Sequence, residues 1–469
     1  MMPIGRPRKT SAPRERRTPL PAGTRLVPDD SLRRFDGGRV LLGGSPLRLL
    51  RLRRDAAGRV EDWLEGRPTD GDRAEGALAR RLIDAGMLHP LPGASALGPA
   101  DVTLVVPVRD NPEGVARLLA ATTGLAARIV VDDGSVVPLP QATHRHRAPA
   151  GPAAARNTGW RQVTSSLVAF LDSDTIPEPG WLESVLPLFT DPEVLAVAPR
   201  VRSLPGPGAL SRYEAERSSL DLGRRPAAVR PMSRVGYVPS AALVIRRTAL
   251  SAVDGFDEAL RFGEDVDLVW RLIATGGTVR YQPQATVWHQ PRPTLRAWLR
   301  QRFAYGTSAA PLALRHPENL SCASLSPFSA AVWALLMTGR PLGGLSLAAA
   351  TSALLPRKLR GHAIPVGTAF GLAARGHLGA GRILADATRR AWWPLALSGK
   401  AGRRALIAAL LPCLIEGCSY GHELDPARWT ALRITDDLAY GAGVWTGCLR
   451  HRVMTPLLPR LTNWPGRTP

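Results

Sequence analysis

Residues 167–174 read LVAFLDSD, five apolar residues followed at once by two carboxylates that are one residue apart. Two similar runs precede this stretch: residues 102–106, apolar except for Thr103, and residues 129–131, which lead directly into Asp132 and Asp133. Short, wholly apolar strands that alternate with helical segments are typical of a mostly parallel sheet covered by helices on both faces. We therefore predict an α/β fold. Because open α/β sheets bind ligands at the carboxyl ends of their strands, we expect these acidic residues to meet at a ligand site.

The charge of the chain limits the classes of partner. It carries 61 Lys and Arg residues against 39 Asp and Glu residues, a formal net charge of +22. Lysine occurs only at Lys9, Lys358 and Lys400, and the arginines are scattered along the chain. Nucleic-acid sites gather their cations in a patch or stripe, so we predict no nucleic-acid partner. A basic face for phosphate groups or anionic lipid fits this composition better.

A chain of 469 residues is too long for one ordinary hydrophobic core, and its composition divides it into four units. Residues 1–25 are basic and contain no apolar core, which predicts a disordered arm rather than a signal peptide. Residues 26–98 show short strands and helical stripes and end in a linker rich in Pro, Gly, Ser and Ala, so they predict a small α+β module. Residues 99–314 hold the α/β unit, and we expect residues 315–469 to be helical.

The helical C-terminal region contains an apolar hairpin at residues 319–356, in which Arg340 is the only charged residue. Each half is only just long enough to span a bilayer. Two readings stay open: insertion into or docking on a membrane, and a helical platform packed on the α/β unit. Positive residues on both sides, Arg315 before the hairpin and Arg357 and Lys358 after it, favour two cytoplasmic ends. We therefore expect the chain in the cytoplasm or on the cytoplasmic face of the membrane.

The carboxylates at the strand ends suggest chemistry. Asp172 and Asp174 can point into one cleft and share Mg²⁺ or Mn²⁺, which prefer oxygen ligands and bridge to phosphate oxygens. Such an ion neutralises the charge of a departing diphosphate. Asp132 or Asp133 can accept hydrogen bonds from a base or ribose. Both patterns also occur by chance in ordinary loops, so neither decides the function alone.

Three further segments place polar residues near helix or strand ends. Residues 151–159, GPAAARNTG, predict a helix that projects Arg156 and Asn157. Residues 263–268, GEDVDL, begin another helix, where Asp265 is either a general base or an acid that stabilises the helix end. His289 follows the apolar residues 285–288 and is either structural or a ligand for metal or pyrophosphate.

The order and spacing of these motifs between Asp101 and His289 resemble the family 2 glycosyltransferases of the GT-A fold, a nucleotide-diphospho-sugar transferase fold with a Rossmann-like mixed sheet. The resemblance implies that Asp132 or Asp133 holds the nucleoside and that Asp172 and Asp174 bind ribose and metal diphosphate. It also implies Asp265 as the base of a single displacement that inverts the anomeric centre. The resulting assignment is nucleotide-sugar binding by Pro107, Asp132, Asp133, Arg156, Asn157 and Asp172, metal binding by Asp172, Asp174 and His289, catalysis by Asp265, and acceptor or loop support by Glu264 and Asp267.

Two positions depart from the family pattern. Arg109 stands where the family often has Tyr. Residues 301–305, QRFAY, are similar to the Q-x-x-R-W motif of polysaccharide synthases, but Ala304 and Tyr305 replace its Arg and Trp. Extension of a polysaccharide chain is therefore not implied.

Residues 41–50 and 82–90 resemble a degenerate PqqD-like peptide-recognition module, a small winged-helix-like α+β fold. Such a module in front of this catalytic unit and a helical tail is similar to the glycosyltransferases of the mycofactocin system. The resemblance implies transfer of a hexose, glucose from UDP-glucose, to a peptide-derived redox cofactor or its precursor.

Two alternatives remain at this stage. A membrane glycosyltransferase acting on a lipid or cell-wall polysaccharide would suit the apolar hairpin. A peptide-binding scaffold with an inactive GT-A shell would suit the N-terminal module. The presence of Asp172, Asp174 and Asp265 together argues against the inactive shell.

Overall fold

The computed structural model describes residues 18–419 and 423–462. The N-terminal module pairs β1 with β5 and forms a separate antiparallel sheet in the order β2-β3-β4. Its elements in chain order are β1 (Arg25–Pro28), β2 (Arg33–Phe35), β3 (Val40–Gly43), β4 (Arg48–Arg51), α1 (Arg54–Leu64), α2 (Arg73–Asp84) and β5 (Leu88–Leu91). The two helices bury their apolar faces against the strands around Leu41, Trp63 and Leu82.

The predicted disordered arm, residues 1–25, includes residues that the structure places in the N-terminal module. Leu20 is buried in the core of the N-terminal module, and its amide donates to the carbonyl of Gly76. Leu20 is therefore part of this core rather than of a disordered arm, because its apolar side chain packs beside α2. The rest of the predicted arm, residues 1–17, lies outside the described residues.

The α/β unit is built around one mixed sheet with the strand order β10-β14-β11-β13-β9-β6-β7-β8, and β12 pairs with β14. Its elements are β6 (Val102–Val108), α3 (Pro112–Ala121), β7 (Ala127–Asp132), β8 (His144–Arg145), α4 (Pro152–Trp160), β9 (Leu167–Leu171), β10 (Thr175–Pro177), β11 (Val194–Ser203), α5 (Ala209–Arg217), β12 (Ala227–Ala228), β13 (Ala242–Arg246), α6 (Arg247–Ala252), α7 (Glu264–Ala274) and β14 (Thr278–His289).

The topology explains where the ligand site lies. Strand β6 is parallel to β7 on one side and to β9 on the other, so the chain reverses its direction of winding beside β6. A crevice forms at the carboxyl ends of strands at such a switch point. Strand β13 is antiparallel to both β9 and β11, which makes the sheet mixed rather than mostly parallel. The predicted α/β fold with a GT-A-like mixed sheet is confirmed.

The C-terminal region is helical, as predicted. It consists of α8 (Leu295–Thr307), α9 (Ala309–Arg315), β15 (Ala323–Leu325), α10 (Pro327–Met337), α11 (Pro341–Lys358), α12 (Val366–Ala387), α13 (Trp393–Ala396), α14 (Lys400–Ser419), α15 (Pro426–His451) and β16 (Pro459–Leu461). Helices α10 and α11 occupy the apolar segment 319–356. Within the described ranges no helix is both long and apolar enough to cross a membrane. Docking on a membrane surface stays a prediction.

Two glycines allow helix α15 to pack directly on α8. A Cβ added to Gly306 on α8 would lie 2.0 Å from the carbonyl oxygen of Tyr440 on α15. One added to Gly443 would lie 2.0 Å from the carbonyl oxygen of Phe303. Backbones can approach this closely only without side chains. The close packing of α15 on α8 carries the C-terminal helices to the edge of the sheet where the strand-end acids lie.

Candidate active site

A cavity of about 1520 Å³ opens at the carboxyl ends of β6 and β9 and is bounded by α7, α8 and α15. Of the residues predicted for the site, its lining includes Pro107, Asp133, Arg156, Asp172, Asp174, Glu264, Asp265 and His289. Asp132, Asn157 and Asp267 do not line it. Most of the residues predicted for the site thus line one cavity, but three of them do not.

The two acids after β7 have different environments. Asp133 lines the cavity, and its carboxylate accepts hydrogen bonds from the amides of Ala150 and Gly151, each at 2.8 Å. Asp132 is fully buried behind it and accepts from the amide of Ser135 at 2.8 Å. Burial alone would raise the pKa of Asp132, but the hydrogen bonds from Ser135 outweigh it and lower the pKa. Of the two predicted nucleoside contacts the structure therefore favours Asp133, since the carboxylate of Asp132 closes the loop after β7.

Arg156 joins two walls of the cavity. From α4, its Nη2 donates to Asp172 at 2.7 Å, and its Nη1 donates to Glu264 at 2.9 Å. Burial on its own would lower the pKa of Arg156, but the charges of Asp172 and Glu264 raise it. The guanidinium is thus a fixed cation between the end of β9 and the beginning of α7.

Asn157 points to the other side of α4. Its side-chain amide donates to the carbonyl oxygen of Phe256 and to Glu258, both at 2.8 Å, and its Oδ1 accepts from the amide of Phe256 at 2.9 Å. These bonds satisfy the buried amide and fix the loop before α7. Asn157 therefore does not line the cavity that was predicted to hold the nucleotide, because one residue along a helix turns the side chain about a hundred degrees away.

The acids after β9 are both paired with cationic groups. Asp174 lies 3.4 Å from Nε2 of His289 and 3.7 Å from Arg292. Burial would raise the pKa of Asp174, but the hydrogen bond and charge of His289 lower it. Asp172 is held by Arg156 instead. Across residues 18–419 and 423–462, no three His, Cys, Asp or Glu side chains are grouped so that they alone could hold a metal ion.

The beginning of α7 brings carboxylates together. Gly263 adopts φ +79° directly before the helix, a left-handed conformation that glycine tolerates best. Asp265 then lines the cavity, where its carboxylate accepts from its neighbour's amide, Val266, at 2.8 Å. Burial raises the pKa of Asp265, and burial with the charge of Asp265 raises the pKa of Glu264 to about 7. A partly buried carboxylate with a raised pKa has the properties of a general base.

Asp267 belongs to the support of the site. It accepts from Nε of Arg271 at 2.6 Å and pairs with Nε2 of His316 at 2.8 Å. It is buried and ties α7 to the end of α9. It therefore holds the helix that presents Asp265 and does not itself meet a ligand in the cavity.

Comparison with known proteins adds the family. The model of "Glycosyltransferase like family 2" matches residues 141–307. The "Pre-mycofactocin glycosyltransferase" of Mycobacterium tuberculosis, in strains CDC 1551 / Oshkosh and ATCC 25618 / H37Rv, is 43% identical over 472 aligned residues, which cover 95% of this chain and 99% of the relative. This chain belongs to the pre-mycofactocin glycosyltransferase family.

More distant proteins match smaller parts or match loosely. The "Succinoglycan biosynthesis protein ExoM" of Rhizobium meliloti (strain 1021) is 33% identical over 159 residues, 32% of this chain and 50% of that protein. Among solved structures, the mannosyltransferase PcManGT from Pyrobaculum calidifontis in complex with GDP-Man and Mn²⁺ is 16% identical. It aligns with a TM-score of 0.42 over 78% of this chain and 93% of its own.

The cavity of this glycosyltransferase also contains residues that the motifs did not identify. Tyr237 and Tyr305 line it, and Arg390 and Tyr440 reach it from the C-terminal region. Burial and the charge of Asp265 raise the pKa of Tyr237 to about 12, and burial raises the pKa of Tyr305. Tyr305 lies in the QRFAY segment, so that motif was a signal for it. The other three lie outside every motif.

Proposed function

We propose that the protein transfers a hexose, glucose from UDP-glucose, to the peptide-derived precursor of mycofactocin, with inversion at the anomeric carbon. The observation that carries this proposal is the identity of 43% over 95% of the chain to a pre-mycofactocin glycosyltransferase. A relationship over nearly the whole length includes the N-terminal module and the C-terminal helices as well as the catalytic unit. It therefore favours a shared acceptor as well as a shared reaction type.

The donor end of the cavity fits a nucleotide diphosphate with a divalent cation. A carboxylate and an imidazole, Asp174 and His289, lie 3.4 Å apart, and Asp172 is close by on the same loop. Magnesium is commonly held by one or two carboxylates together with substrate phosphates, so a site without three grouped protein ligands suits it. When bound, Mg²⁺ or Mn²⁺ neutralises the charge of the leaving diphosphate. Asp133 and Arg156 are proposed to orient the nucleoside and the ribose end of the donor.

Asp265 is proposed to accept the proton of the attacking acceptor hydroxyl. Its carboxylate lies at the beginning of α7, where the helix dipole stabilises the ionised form. Burial acts in the opposite direction and raises its pKa, which makes the carboxylate a stronger base. Arg156 bridges Asp172 to Glu264, the neighbour of Asp265, so the same cation links the donor side to the base.

The proposed reaction is tested by identifying its product. The purified full-length protein is incubated with Mn²⁺, with the isolated mycofactocin precursor and in turn with UDP-glucose, GDP-mannose and UDP-galactose. We expect the mass of the precursor to increase by one or more hexose units with UDP-glucose. A scaffold with an inactive shell gives no product with any donor. Transfer only to lipid or polysaccharide in parallel reactions contradicts the proposed acceptor.

The N-terminal module is proposed to bind the peptide-derived acceptor. A second cavity, of about 1240 Å³, lies between β2 and α1 and includes Phe35, Arg54 and Gly58 in its lining. A Cβ added to Gly58 meets no atom within 4 Å, so a large side chain there can extend into the cavity without disturbing α1. Deletion of the module is a poorer test, because Arg80 and Asp191 form an ion pair between the two units.

We expect Gly58→Trp to raise the KM for the acceptor several-fold and to leave the hydrolysis of UDP-glucose by water unchanged. Gly58→Ala is the matched control. It adds helix propensity of about 1 kcal/mol without filling the cavity, so its acceptor KM should equal that of the wild type. Initial rates at varied acceptor concentration measure both. An unchanged acceptor KM in Gly58→Trp means that the acceptor does not use this cavity.

A further inference from the structure

Arg390 reaches the active-site cavity from the C-terminal helices. It lies in a π-helical turn, Thr388–Trp392, that joins α12 to α13. Such turns are rare, and many of those known lie at functional sites. The wider turn changes the direction in which the side chains point. The side chain of Arg390 is 43% exposed and lines the cavity, whereas that of its neighbour Arg389 is 3% exposed. The turn therefore sends one arginine into the helical core and the next toward the cavity.

The position of Arg390 is fixed from several sides. Its Nε donates to Oδ1 of Asp437 at 2.8 Å, and its guanidinium lies 4.9 Å from the ring centre of Tyr440. Asp437 is fully buried on α15. A Cβ added to Gly441, one turn after Asp437, would lie 2.3 Å from the carbonyl oxygen of Arg390, so the backbone of the turn is also held against α15. Arg390 is thus preorganised before any ligand binds.

Arg390 is the member of a buried charged cluster that faces the cavity. Arg389 and Arg433 also pair with Asp437, and both approach Asp386. Arg433 also lies 3.9 Å from Glu416, so three guanidinium groups share three carboxylates. Only Arg390 among the three is substantially exposed, and no described residue accepts a hydrogen bond from its two terminal nitrogens. Those nitrogens are fixed donors that suit a carbonyl or carboxylate oxygen.

Arg390 lies on the side of the cavity that contains the base. Tyr237 lines the cavity together with Asp265 and Arg390, and the charges of both groups act on the pKa of this tyrosine, so both lie near it. Tyr305 is likewise under the influence of Asp265. Since Asp265, the tyrosines and Arg390 line one cavity, a molecule that presents a hydroxyl to Asp265 can extend past the tyrosines toward Arg390.

We propose that Arg390, backed by Asp437 and Tyr440, binds a carbonyl or carboxylate oxygen of the acceptor and thereby selects the hydroxyl that meets Asp265. The inference rests on the proposed function only in taking the acceptor as the molecule that is glycosylated. It makes the C-terminal helices part of the acceptor site. Arg390 is then a residue for acceptor specificity rather than for donor binding or for proton transfer.

The test uses Arg390→Gln in the full-length protein. Asp437 keeps Arg389 and Arg433 as partners in this variant, so we expect the thermal midpoint to stay close to that of the wild type. A hydrogen bond to a charged group is lost on binding, and the acceptor KM should rise about tenfold or more. The KM for UDP-glucose and its hydrolysis by water should not change. Arg390→Lys, which keeps the charge but loses the fork of donors, should fall between the two.

Arg382→Gln is the matched control, since Arg382 is exposed on α12 and does not line the cavity. Its acceptor KM should equal that of the wild type. An unchanged acceptor KM in Arg390→Gln overturns the inference, as does an equal loss of donor hydrolysis and transfer. If Arg390→Gln does not fold, Arg390→Lys decides, and an unchanged acceptor KM in that variant overturns the inference.

Failure of the proposed function can be distinguished from failure of the Arg390 inference, because it appears in the wild type as the absence of transfer to the mycofactocin precursor. The KM comparison is then made with the acceptor that the wild type does glycosylate.

Discussion

Asp265→Asn should transfer sugar at least about a hundredfold more slowly than the wild type, because a general base contributes roughly 10²–10⁴-fold in rate. Asparagine keeps the shape of aspartate and can still accept the hydrogen bond from Val266. It cannot accept the proton of the acceptor hydroxyl. We therefore expect the variant to melt close to the wild type and to bind UDP-glucose with unchanged affinity. Initial rates, calorimetric melting and titration with UDP-glucose measure the three quantities.

The neighbouring carboxylate at Asp267 gives the matched control. Asp267→Asn removes the ion pairs to Arg271 and His316, so it should lower the stability, while its effect on rate should be much smaller. A rate in Asp265→Asn near that of the wild type moves the base elsewhere. If the loss of activity in Asp265→Asn is explained entirely by unfolding, the carboxylate only stabilises the beginning of α7.

The pH dependence of transfer offers an internal check on the same carboxylate. A base must be ionised, so kcat/KM should rise with pH as Asp265 loses its proton. Burial raises the pKa of Asp265, which places this limb above the usual range of an aspartate.

Chelation should abolish transfer, and Mn²⁺ or Mg²⁺ should restore it, if a cation neutralises the leaving diphosphate. Asp174→Asn should reduce transfer by about a hundredfold or more, since it weakens the proposed pairing of a carboxylate and an imidazole with the ion. The metal affinity of the variant, titrated with Mn²⁺ in the presence of UDP, should fall with the rate. That titration does not depend on turnover.

Asp110→Asn provides the comparison on the same cavity wall. Asp110 lines the cavity outside the predicted metal site and has φ +53°, a conformation that asparagine adopts well. Its oxygen accepts from the amide of Val136, which the asparagine oxygen can also do. Near-normal transfer and metal affinity are expected. Full activity of Asp174→Asn in chelator contradicts the metal role of the loop after β9.

The strand-end acids could be predicted from sequence because wholly apolar runs mark buried strands, and polar residues that follow them must lie at the sheet edge. That reasoning brought Asp133, Asp172, Asp174 and His289 to one cavity. It could not decide between Asp132 and Asp133, because one residue beyond a strand reverses the direction of the side chain. The outcome depends on the loop, where the carboxylate of Asp132 accepts a hydrogen bond from the amide of Ser135.

The remaining residues depend on tertiary packing. Arg390 and Tyr440 reach the cavity only because α15 packs closely on α8 through Gly306 and Gly443. No motif near Gly306 or Gly443 in the sequence predicts that these two helices pack together. Similarly, the apolar residues 319–356 are divided between α10 and α11, and the turn at Gly339 and Arg340 separates two helices that are each too short or too weakly apolar to span a bilayer.

Transfer with inversion is tested most directly by the anomeric configuration of the first sugar in the product. The protein is incubated with UDP-α-glucose, Mn²⁺ and the mycofactocin precursor, and the product is analysed by proton NMR before any second sugar is added. Single displacement assisted by Asp265 predicts a β-linked glucose. An α-linked glucose would contradict both the inverting mechanism and the role of Asp265 as its base.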